Sequence, residues 1–98
     1  MIVDAHVHLG DVSAFPVAST SPEALLALMD SLAIDRSISI HGAGLMECFE
    51  EGYRASEAAY ELSGGRLPYC LVFHPLFPAD SLACIEEALS RPGFVGIK

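Results

Sequence analysis

Polar and apolar positions alternate strictly where the chain opens. In IVDAHVHLG, Val3, Ala5 and Val7 fall on one side of an extended strand and Asp4, His6 and His8 on the other, because successive strand side chains point to opposite faces. RSISIH, residues 36–41, alternates again, with Ile38 and Ile40 on one face and Ser37, Ser39 and His41 on the other. Between these runs the period changes. Leu25, Leu28, Met29 and Leu32 recur at helical intervals, the mark of an amphipathic helix. Ser21 as cap, Pro22 at the first helical position and Glu23 in the first turn make a strong helix start. The helix is expected to end near Ala33.

Gly42 and Gly44 break the second strand. A longer helix is expected over about residues 45–62, carrying Phe49, Tyr53, Ala59, Tyr60 and Leu62, with Gly52 a weak point and Ser63-Gly64-Gly65 its stop. Residues 67–73, LPYCLVF, read as a third strand leading into His74-Pro75. A third helix, capped by Asp80 or Ser81, carries Leu82, Ile85 and Leu89 on one stripe. Arg91-Pro92-Gly93 ends it, and FVGIK opens a fourth strand. Strands alternating with helices predict right-handed βαβ units and a parallel sheet, hence an α/β fold. Four strands with three helices make half of a (β/α)8 barrel of the TIM type, which takes about 250 residues. Residues 1–98 are therefore expected to be the N-terminal part of a single barrel domain, completed by more chain or by partner chains. The alternative is an open, doubly wound four-stranded domain.

Composition narrows the class. Apolar residues reach 52% with a mean hydropathy of +0.44, too apolar for disorder and suited to parallel strands covered on both faces. A net charge of −8 with only 5 Lys and Arg argues against nucleic acid as a partner, since phosphates need clustered basic residues, and against an anionic membrane surface. Cys48, Cys70 and Cys84 are odd in number and contain no CxxC, which points to reduced thiols in a cytoplasm, not to a disulfide framework or zinc ribbon. The opening residues carry no signal-peptide pattern, and no run approaches the roughly 20 apolar residues of a membrane span.

In parallel α/β folds ligands gather at the C-terminal ends of the strands, and His8, His41 and His74 each finish a strand. His6 and His8 have the spacing of metal ligands: two neutral imidazoles on one strand face can share a divalent cation at about 2.0–2.1 Å each. Such a cation lowers the pKa of its water toward about 7. The blander reading makes the pair a polar strand end. For His41 and His74, which precede Gly and Pro, loop hydrogen bonding stands beside substrate contact or orientation of a ligand. Asp4, deeper on the histidine face, can orient an imidazole or bind metal. Lys98 shares a strand face with Phe94 and with Gly96, whose small size leaves room in a barrel interior; it is a candidate for substrate contact or, carboxylated, for metal binding. Phe15 and Phe77 are loop aromatics able to wall a pocket. The helix acids read as a solvated face. No GxSxG, P-loop or GxGxxG occurs, so acyl-serine and nucleotide chemistry lack support.

IVDAHVHLG closely resembles the first strand of the amidohydrolase superfamily, whose HxH motif binds metal. AIDRSISI at the second strand and GFVGIK at the fourth resemble the amidohydrolase-related branch that includes aminocarboxymuconate semialdehyde decarboxylase. The resemblance runs in order along nearly the whole chain. It implies a (β/α)8 barrel with a mononuclear divalent centre, often zinc. His6 and His8 match the two strand-one ligands. Lys98 matches a strand-four position that some branches use as a carboxylated bridging ligand and this branch commonly omits. The family's strand-five histidine and strand-eight aspartate have no counterpart in residues 1–98, so this stretch alone is expected to be catalytically incompetent. The implied activity is metal-dependent hydrolysis of a small-molecule carbonyl substrate, an amide or lactone, by metal-activated water. Three alternatives stand beside it. One is non-oxidative decarboxylation on the same site. Another is phosphoester hydrolysis, as in the polymerase and histidinol phosphatase family, which also opens with HxH. The third is a non-catalytic half-barrel packed against a partner. Homo-oligomerisation is left open.

Overall fold

Ser21 starts the first helix. Its hydroxyl accepts a hydrogen bond from the backbone N–H of Ala24 at 3.1 Å, and Pro22 sits in the first turn, where no N–H is required of it. The structure, a computed structural model, describes residues 1–14, 16 and 18–98, so the Phe15 named above lies outside the described residues. Its elements are β1 (Val3–Leu9), α1 (Pro22–Ser31), β2 (Arg36–His41), α2 (Gly42–Leu45), α3 (Phe49–Leu62), β3 (Tyr69–Leu71), α4 (Pro78–Ala88) and β4 (Phe94–Ile97). Among the described residues no helix is long and apolar enough to cross a membrane.

The four strands form one parallel sheet in the order β1-β2-β3-β4. Spatial order follows chain order without reversal, so these four strands contain no topological switch point. Right-handed crossovers that all advance in one direction put every connecting helix on the same face. Two buried clusters mark that face. Leu9 of β1 meets Leu25 and Met29 of α1 and Ala59 of α3. Tyr69 and Leu71 of β3 meet Phe49 and Tyr53 of α3 with Cys84, Ile85 and Ala88 of α4.

The serine side of β2 faces the helices. Ser37 and Ser39 are fully buried, and Ser39 lies beside Tyr69 of the second cluster. Short side chains there let α3 come close. Gly52 does likewise for α2: a Cβ on it would fall 2.6 Å from the Gly44 nitrogen, so the expected weak point of the helix is a contact point. The single helix expected over residues 45–62 is in fact two, separated by a turn in which Glu47 adopts a φ of 67°.

The apolar stripes also shift. In α4 the buried residues are Ser81, Cys84, Ile85 and Ala88, while Leu82 and Leu89 are 41% and 70% exposed; small residues admit the helix to the sheet and the leucines flank the contact. The helix starts at Pro78, and Ser81 is no cap, since its hydroxyl accepts from the His74 N–H at 3.1 Å. In α1 only Leu25 and Met29 are buried, and the helix ends at Ser31.

Both edge strands carry an extra residue. Asp4 stands beside Ser37 and Val7 beside Ser39, so one residue of β1 is unmatched, a β-bulge, and Asp4 falls out of step with His6 and His8. In β4, Phe94 stands beside Tyr69 and Gly96 beside Cys70, leaving Val95 over. Phe94 packs against the helix-side core, and Gly96 lies on the opposite face. Lys98 therefore keeps company with Gly96 and not with Phe94. The space beside Gly96 is taken, since a Cβ there would meet the Cys70 Sγ at 3.2 Å.

Candidate metal centre

Burial on one side of β1 aims the side chains on the other. Leu9 is fully buried and Val7 packs beside it against α1, so the alternating His6 and His8 project from the face that the helices leave open. There the two rings meet. Their Nε2 atoms are 3.0 Å apart, with ring centroids at 4.9 Å and planes at 75°.

Lys98 joins them from the far edge. Its Nζ lies 3.2 Å from the His6 Nε2, and its backbone is anchored by an N–H donated to the Leu71 carbonyl at 2.9 Å. In a flat sheet β1 and β4 would lie about 14 Å apart, three interstrand spacings. The long Lys98 side chain and the His6 ring meet across the open face of the sheet.

The contacts dictate donor roles. An ammonium only donates, so the His6 Nε2 accepts from Lys98; its one lone pair is then engaged, and the His8 Nε2 lies beside it at 3.0 Å. Burial lowers the His8 pKa from its ordinary value, and the neighbouring His6 and Lys98 lower it further. A neutral His8 is the form that can ligate a metal. Tetrahedral zinc holds nitrogen ligands roughly 3.3 Å apart, given bonds of about 2.0–2.1 Å; the observed 3.0 Å fits a shared cation. Among the described residues no group of three or more His, Cys, Asp or Glu side chains converges on one point. The pair thus offers two ligands where a catalytic zinc takes three.

The other candidates are used differently. Asp4 Oδ1 accepts from the backbone N–H of His6 at 3.1 Å, which steadies the bulge and leaves the imidazole untouched. His41 Nδ1 accepts from the Ala43 N–H at 3.2 Å and so caps α2. Burial lowers the His41 pKa, against an opposing pull from Glu51. His74 Nδ1 accepts from the Leu76 N–H at 3.2 Å. The His74 Nε2 stands 3.8 Å from a Glu47 carboxylate oxygen, and its ring stacks at a tilt on Phe77, 5.2 Å away between centroids. The structure therefore brings together His6, His8 and Lys98, touches them through the backbone with Asp4, and engages His41 and His74 in local turns.

Two neighbours escaped the sequence reading. Ile40 stands beside His8, and Cys70 beside Gly96. Burial raises the Cys70 thiol pKa, partly offset by the charge of Lys98. The signal was present in the alternation of LPYCLVF: once Tyr69 and Leu71 face the helices, Cys70 must face the histidines.

Compared with known proteins, the chain matches no family model, no curated protein and no solved structure.

Proposed function

We propose that the chain supplies the histidine pair of a divalent-metal centre, with zinc as the metal, in a (β/α)8 barrel hydrolase of the amidohydrolase type. The substrate is a small-molecule carbonyl compound such as an amide or lactone. One observation carries the reading: two imidazole Nε2 atoms 3.0 Å apart on the helix-free face of a parallel sheet, toward the C-terminal end of its first strand. That is where ligands collect in this class of fold. The one-directional strand order supports a barrel, and the motif resemblance supports the family.

Within this reading His6 and His8 present neutral lone pairs, held at a fixed separation by the strand backbone. Ile40 beside His8 gives the pair an apolar neighbour, which favours the neutral rings. Bound there, a divalent cation acidifies water toward neutral pH and polarises a carbonyl. The ligands beyond the pair come from further strands of the barrel.

Metal analysis of the full-length protein tests this. About one zinc per chain is expected, falling at least tenfold in occupancy in both His6→Ala and His8→Ala, with circular dichroism unchanged. A metal content that survives both substitutions removes the basis of the proposal.

A further inference from the structure

We propose that Lys98, as an ammonium, competes with the metal for the lone pair of His6 and so weakens the site's hold on a divalent cation. The inference rests on the histidine-pair reading and extends it to control of metal affinity. The contact that carries it is the 3.2 Å approach of the Lys98 Nζ to the His6 Nε2. An ammonium has three donors and no acceptor, so this contact uses the very lone pair that a metal needs.

Among the described residues Arg54, Arg66 and Arg91 each meet a carboxylate, whereas Lys98, like Arg36, meets none. Asp4 Oδ1 accepts from the backbone N–H of His6. A second positive charge placed at the histidine pair is therefore repelled, and Lys98 must swing aside before a cation can enter. The residue acts as a built-in competitor that sets how much free metal is needed to fill the site.

The probe is Zn2+ alone, titrated into metal-free full-length protein against a chromophoric chelator. An elementary charge a few ångströms from a dication changes affinity by about tenfold even at the dielectric of water. Lys98→Met is thus expected to lower the Zn2+ dissociation constant about tenfold, with the gap to wild type narrowing as salt is added. Lys98→Arg, which keeps the charge, is expected to stay within about threefold of wild type. A Lys98→Met protein that binds Zn2+ no better than wild type overturns the inference. So does an intact mass showing a carboxyl group on Lys98, since a carbamate would recruit metal instead of repelling it. If neither wild type nor variant binds Zn2+, the histidine-pair reading itself fails and takes this one with it.

Discussion

His41 and His74 behave alike, and His6 and His8 behave otherwise. Each of the first two turns its Nδ1 onto a backbone N–H two residues ahead, Ala43 and Leu76, at 3.2 Å in both cases. Each spends that nitrogen within its own turn, and the other nitrogen of His74 lies 3.8 Å from Glu47. His6 and His8 instead point ring nitrogens at each other, and His6 meets a residue 92 positions away. All four belong to strand ends or the turns just beyond them, so position along a strand does not separate them. The destination of the ring nitrogen does. A nitrogen absorbed by a neighbouring peptide serves the backbone, whereas the His6 and His8 nitrogens, side by side on β1 and met by Lys98 from the far edge, face one another.

The largest test of this contrast lies on the backbone around His41. A Cβ on Gly42 would fall 2.0 Å from the Asp11 carbonyl oxygen, so the loop after β1 and the start of α2 need glycine there. Gly42→Ala is expected to cost about 3 kcal/mol, at the upper end of overpacking penalties, measured by urea denaturation. A loss below about 1 kcal/mol would mean the turn around His41 is looser than its close contacts imply.

A middle-sized effect separates the two pairs directly. His41→Ala and His74→Ala each remove a side-chain acceptor of a turn or cap and are expected to cost about 1 kcal/mol while leaving bound metal unchanged. Metal lost from either variant would move that histidine into the company of His6 and His8.

The smallest effect is one of pH. Burial holds the His41 pKa below its ordinary value, so the unfolded chain takes up that proton more readily than the folded one. Stability is therefore full above the ordinary histidine value of about 6.5 and declines as pH falls through it toward the folded-state value. Unfolding curves at pH about 7.5 and about 5.5 should show this decline, and His41→Ala should lose part of it. An identical decline in the variant would assign the proton to another group.

The strand–helix order and the pairing of His6 with His8 were legible from residue spacing, because both depend only on local period. Ser21 and Pro22 announced α1 for the same reason. The bulges were not legible: whether Asp4 stays in step with His6, or Phe94 with Lys98, is decided by the neighbouring strand. Alternation in RSISIH defined two faces without saying that the serine face would be the covered one. Leucine periodicity misled in α4, where Leu82 and Leu89 are exposed and the small residues Ser81, Cys84 and Ala88 make the contact. Lys98 reached His6 across the open face of the sheet, a contact no single segment encodes.

Among the described residues, α1, α3 and α4 pack against one face of the sheet. The face that carries His6 and His8 lies opposite. Side chains there can be exchanged one at a time without rewiring any connection. A layout of this kind separates the part that must stay constant for the chain to fold from the part that is at liberty to change its chemistry.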